Sequence, residues 1–108
     1  MKVAVIGSTG MSTQDLENYL PPQTNEIVFD GVNGVDISAK EYAAAHGINL
    51  TEFLPEREIY GSDAESRRDK AIIEYSDIVI VFWDGKDQCT KLLIDECNKM
   101  GVPIRVFV

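Results

Sequence analysis

Apolar residues fall into two rhythms along this chain. Short β-rich runs at 3–6, 27–29, 48–53, 78–83 and 104–108 alternate with longer stretches in which apolar residues recur three or four positions apart. The pattern predicts five strands separated by four helices. Val3-Ala4-Val5-Ile6 and Ile78-Val79-Ile80-Val81-Phe82 are unbroken, as strands buried on both faces must be. Ile48-Asn49-Leu50-Thr51-Glu52 and Ile104-Arg105-Val106 are interrupted by polar residues, as edge strands can be. Strict β-α alternation calls for parallel strands joined by right-handed crossovers, with helices on both faces. With strands 1 and 4 central and 3 and 5 outside, the expected order is 3-2-1-4-5, a single Rossmann-like three-layer α/β domain spanning residues 1–108.

Start and stop residues place the helices. Ser12 as N-cap, Asp15 three residues on and a Met11–Leu16 staple open the first, and Pro21-Pro22 closes it. The second runs over 34–46, with Ala39 and Ala43 as a small-residue stripe, Gly47 as left-handed cap and His46 as a helix-end residue favoured by the dipole. The third has two possible starts, Ser62 with Glu65 or Ser66 with Asp69, and a buried stripe through Ile72 and Tyr75. In the fourth, Cys89, Leu93, Cys97 and Met100 form a core face that ends at Gly101. Both cysteines are expected as buried thiols, since neither a CxxC pair nor a nearby histidine suggests zinc or a redox dithiol.

Composition narrows the function classes. A chain of 108 residues has room for one core and no separate substrate domain. The net charge of −8 disfavours a polyanionic duplex, and no basic run exceeds Arg67-Arg68. No stretch reaches membrane-spanning length, and the apolar run after Met1-Lys2 is too short for a signal peptide, so a cytoplasmic location is expected.

In an open α/β sheet the ligand lies beyond the carboxyl ends of the strands, where the strand order reverses. Three loops should meet there: Gly7-Ser8-Thr9-Gly10, the segment Asp30-Gly31-Val32-Asn33-Gly34, and Trp83-Asp84-Gly85-Lys86. The first offers amides and hydroxyls at a helix N-terminus, either for a phosphate or as a tight turn without ligand. Gly31 and Gly34 bracket the second helix start and allow close backbone approach. Asp36 could accept a hydrogen bond from a sugar or amide, or complement the dipole and pair with Lys40. If the third helix starts at Ser66, Arg68 lies in its first turn and points inward, toward a ligand phosphate or carboxylate, Asp84, or another nearby acid. Arg67 then points to solvent. Trp83 either stacks on a flat ring at the rim or caps the core. Asp30, Asp36, Asp84 and Asp87 lack the spacing of a metal motif, so no metal is expected. A receiver-type domain is excluded, because Phe53-Leu54-Pro55 and Gly7-Ser8-Thr9 stand where its acids belong.

Taken together, Gly31-Val32-Asn33-Gly34-Val35-Asp36, Ala39 and Ala43, Gly47-Ile48, Arg68-Asp69 with Ile72, Asp77, Phe82-Trp83-Asp84-Gly85 and Thr90 resemble the YspA-like branch of the SLOG superfamily. That branch reads GARGVD, a helix with two alanines, GI, RNxxM, AD, FWDG and GT in this order. The superfamily is Rossmann-like and includes lysine-decarboxylase-like phosphoribohydrolases and the DNA-processing protein DprA. The resemblance implies a bound nucleotide-derived ligand such as ADP-ribose or an NAD derivative, in contact with Gly7, Ser8, Gly34, Asp36, Arg68, Asp84, Gly85 and Thr90. It also makes a homodimer an expectation.

Four positions depart from the pattern. Thr9 and Asn33 replace arginines, Asp69 replaces an asparagine, and Cys89 replaces a glycine. The first three reduce the positive charge offered to a diphosphate. Leu93 stands where the phosphoribohydrolase PGGxGTxxE motif carries its glutamate, which leaves glycosidic cleavage without an evident acid or nucleophile. The expected function is therefore a small-molecule binding module for a nucleotide or nucleotide-derived ligand, in a sensor or carrier role. The alternatives are a nucleoside-monophosphate or N-glycosidic hydrolase, and a structural subunit that has lost the ligand.

Overall fold

The computed structural model describes residues 1–8, 16–30 and 34–108, with the backbone alone at 34–37. Five strands, β1 (Lys2–Gly7), β2 (Glu26–Phe29), β3 (Asn49–Glu52), β4 (Ile78–Phe82) and β5 (Ile104–Phe107), pair in parallel in the order β3-β2-β1-β4-β5. β1 and β4 are central and buried on both faces, whereas β3 and β5 are largely exposed edges. The pattern of polar interruptions thus places every strand correctly. Each pleat sends alternate side chains to opposite faces. Val3, Val5, Ile27, Ile78 and Ile80 form one core, and Ala4, Ile6, Val28, Val79 and Val81 the other.

The first core is closed by Leu16, in a single 3-10 turn over Leu16–Asn18, and by Ala39 and Ala43 of α1 (Gly34–His46). The small alanines let α1 lie close on the sheet. Gly47 then takes a left-handed conformation at φ 65°, and the Ile48 amide donates back to the Ala43 carbonyl at 3.0 Å, which satisfies an orphan acceptor of the helix end. The proposed opening of the first helix at Met11, Ser12 and Asp15 lies outside the described residues.

The second core is closed by α3 (Ala64–Tyr75) and α4 (Gln88–Met100), through Ile72, Ile73, Leu93 and Cys97. α3 begins at neither predicted serine. A short helix α2 (Arg57–Tyr60) and a 3-10 turn over Gly61–Asp63 lead directly into it, and the Ala64 amide donates to the Gly61 carbonyl. Carbonyls of the preceding turn supply acceptors at the start of α3, and no side chain caps it. Arg68 is therefore past the first turn, contrary to the reading that starts the helix at Ser66. α4 is capped by Asp87, whose carboxylate accepts from the Cys89 amide at 3.0 Å, and ends on Gly101 at φ 74°.

Two burial expectations are corrected. Tyr75 is half exposed, while Ile73 takes the buried place beside Ile72. As the last residue of α3, Tyr75 reaches beyond the core, where its hydroxyl donates to Glu26 and the Lys2 ammonium sits 4.2 Å from its ring centre. Cys89 is exposed, because Thr90, Leu93 and Cys97 take the buried positions of α4 and leave Cys89 off that face. Cys97 is buried, and that burial pushes its thiol up to about 11. His46 is exposed at the end of α1, stacked on Tyr42 with its Nδ1 3.0 Å from the Tyr42 carbonyl. Among the described residues no helix is long and apolar enough to cross a membrane.

Candidate functional site

Beyond the carboxyl end of the sheet, between the connection after β3 and the first two turns of α3 and α4, lies a cavity of about 370 Å³. Its walls bring together Gly7 from β1, Asp30 after β2, Arg68 and Asp69 from α3, and Asp87 and Thr90 at the head of α4. The place is the one that the reversal of strand order designates, since helices leave the central strands toward opposite faces there. The volume is near the lower end of the range of about 300–1,000 Å³ usual for small-molecule sites.

Of the residues expected to contact a ligand, Gly7, Arg68 and Thr90 line this cavity, and Cys89, expected as a buried thiol, lines it too. Gly34 opens α1. Thr9, Gly31, Asn33 and the side chain of Asp36 lie outside the described residues. Ser8, Trp83, Asp84 and Gly85 do not line the cavity; they form the scaffold behind it. Ser8 is fully buried, and its amide donates to the Phe82 carbonyl at 2.9 Å. Its hydroxyl donates to Thr90 Oγ1 at 3.2 Å and accepts from the Asp84 amide at 3.3 Å. Thr90 in turn donates to Asp87 Oδ2 at 2.8 Å. The hydroxyls read as candidate ligand donors are thus bonded to the protein, where they tie β1 to the head of α4.

Asp84 shapes the turn after β4. Its Oδ1 accepts the Lys86 and Asp87 amides, each at 2.8 Å, around Gly85 at φ 83°. Those two amide hydrogen bonds hold the Asp84 carboxyl below its ordinary value. Trp83 is half-buried against the second core, and its indole donates to the Asp87 carbonyl at 3.1 Å, so the core-capping alternative applies. A carboxyl with a lower pKa in the folded than in the unfolded chain binds fewer protons when folded. Its stabilisation is complete above the unfolded carboxylate pKa and fades as pH falls through the folded value. Asp84→Ala is therefore expected to destabilise the protein at neutral pH, with the deficit shrinking below about pH 4. Urea unfolding of both proteins from pH 7 to pH 3 measures this, and a deficit independent of pH would contradict it.

Arg68 does point inward, as its place on the helix requires, with a side chain only 9% exposed. Its partner is not Asp84 but the adjacent Asp69, whose Oδ1 accepts from Nε at 3.3 Å and from Nη2 at 3.1 Å. Burial raises the Asp69 carboxyl, and the Arg68 charge opposes that shift without overcoming it. Arg67 faces outward, over the Tyr60 ring at 4.3 Å.

The residues missed in the sequence come from the connection after β3. Leu54, Pro55 and Arg57 line the cavity, and Arg57 pairs with Glu65 of α3 through Nη2 and Oε1 at 2.6 Å. The available indication was topological: a loop leaving β3 emerges at the same edge as those leaving β1 and β4. Among the described residues no three His, Cys, Asp or Glu side chains come together as a cation site. Compared with family models, curated proteins and solved structures, the chain finds no match.

Proposed function

We propose that this protein is a small-molecule binding module for a nucleotide or nucleotide-derived ligand, acting as a sensor or carrier. The observation that carries the reading is the cavity beyond the strand ends, at the reversal of strand order and with Arg68 and Thr90 in its wall. The ligand class follows from the resemblance to the YspA-like branch; of the segments that carry it, Arg68-Asp69 lies in the cavity wall and Phe82-Trp83-Asp84-Gly85 leaves the same edge of the sheet at the end of β4. Binding without cleavage is favoured by Leu93, which turns a buried hydrocarbon side chain to the cavity at the position of the phosphoribohydrolase glutamate.

Thermal unfolding in the presence of adenosine, AMP, ADP-ribose and NAD tests the reading. A ligand at ten times its Kd adds about 1.4 kcal/mol to native stability, so one of the four is expected to raise Tm by several degrees at millimolar concentration. No shift with any of them would refute it. Release of base or phosphate during incubation would move the protein to the hydrolase class.

A further inference from the structure

The cavity contains two arginines, and each is already engaged by a carboxylate in the same wall: Arg68 by Asp69, and Arg57 by Glu65. With Asp30 and Asp87, the described residues of the lining carry four carboxylates against two guanidinium groups, an excess of two negative charges. An entering phosphate would have to displace Asp69 or Glu65, and at the buried Arg68–Asp69 pair the displaced carboxylate would remain beside it, where desolvation strengthens the repulsion of like charges.

Both ion pairs run to a single carboxylate oxygen. Asp69 uses Oδ1 for both Arg68 contacts, and Glu65 uses Oε1 for Arg57. Among the described residues Asp69 Oδ2 and Glu65 Oε2 take no hydrogen bond, which leaves two acceptors, the first held by a buried ion pair and the second by a half-exposed one. Such acceptors suit hydroxyl and amino donors that bring no charge with them.

We infer that the cavity is a nucleoside subsite: Asp69 and Glu65 accept hydrogen bonds from the hydroxyl or amino groups of an uncharged ligand, and Asp69 keeps phosphate off Arg68. The inference rests on the nucleotide-type reading and narrows it to the uncharged end of the ligand, with Asp69 as the residue that sets specificity. The asparagine of the YspA-like pattern at this position would leave the guanidinium charge uncompensated; the aspartate cancels it.

Calorimetric titration of the wild type and Asp69→Asn with adenosine, AMP and inorganic phosphate separates the possibilities. In the wild type, adenosine is expected to bind at least tenfold more tightly than AMP, and phosphate to produce no heat beyond dilution. Asp69→Asn should gain at least tenfold in affinity for AMP and phosphate and lose affinity for adenosine. If that variant does not fold, Glu65→Gln frees Arg57 at a half-exposed pair and should gain phosphate binding in the same way. Tighter wild-type binding of AMP than of adenosine would overturn the inference while leaving the nucleotide reading intact. So would phosphate binding unchanged in the folded variants. If no nucleoside or nucleotide binds the wild type, the nucleotide reading fails, and the phosphate titration of the variants still decides whether Asp69 guards Arg68.

Discussion

Replacing Ile72 with alanine is expected to cost about 2–5 kcal/mol of folding stability, against a total of roughly 5–15 kcal/mol for a domain of this kind. Ile72 is fully buried and packs with Ala4, Ile6, Val28, Val79 and Leu93 in the core beneath α3. It lies one helical turn after Arg68 and three residues after Asp69, so the side chain that anchors α3 to the sheet also fixes the height of the ion pair in the cavity wall. Urea unfolding should show a lower midpoint with an unchanged slope. Ile72→Val, which removes one methyl group, should lose only about 0.5–1.5 kcal/mol. Equal losses for the two variants would show that the site collapses around the smaller side chain and that Ile72 is not the anchor.

Thr90→Val is expected to cost about 1–3 kcal/mol, although the two side chains have the same shape. The hydroxyl of Thr90 is buried between Ser8 Oγ at 3.2 Å and Asp87 Oδ2 at 2.8 Å. Its removal leaves the fully buried Ser8 hydroxyl without its acceptor and the Asp87 carboxylate with one bond fewer, at the point where α4 joins β1. A double-mutant cycle with Ser8→Ala measures the coupling, because the second substitution removes the donor stranded by the first. The double variant should be less destabilised than the sum of the two single variants. Strict additivity would mean that the hydroxyls do not act as a unit.

The structural role of the predicted ligand groups follows from this network. Ser8 and Asp84 are legible as polar residues converging at the strand ends, Thr90 only through the family resemblance, and the three do converge. Their bonding was not legible. A hydroxyl beside a glycine loop serves a ligand and a helix N-terminus equally well, and only the approach of Asp87 to Thr90, and of Ser8 to the Asp84 amide, decides between them. Glu65 illustrates the same limit. In sequence it completes a capping box with Ser62, whereas the folded chain needs no cap there and Glu65 pairs with Arg57 across the turn.

Local pattern alone determined the five strands, their order, and the helix ends at Gly47 and Gly101, because burial on one or two faces and the left-handed conformation at a helix end are written into residue type at each position. Tertiary structure decided what no spacing encodes: that the loop after β3 enters the site, that Cys89 stays exposed, and that Arg68 pairs with Asp69 rather than with Asp84. The physical reason is common to all three. Partners of buried charges and of helix first turns are chosen among groups distant along the chain or alternative on the same helix, and their relative energies depend on desolvation and separation that exist only once the chain is folded.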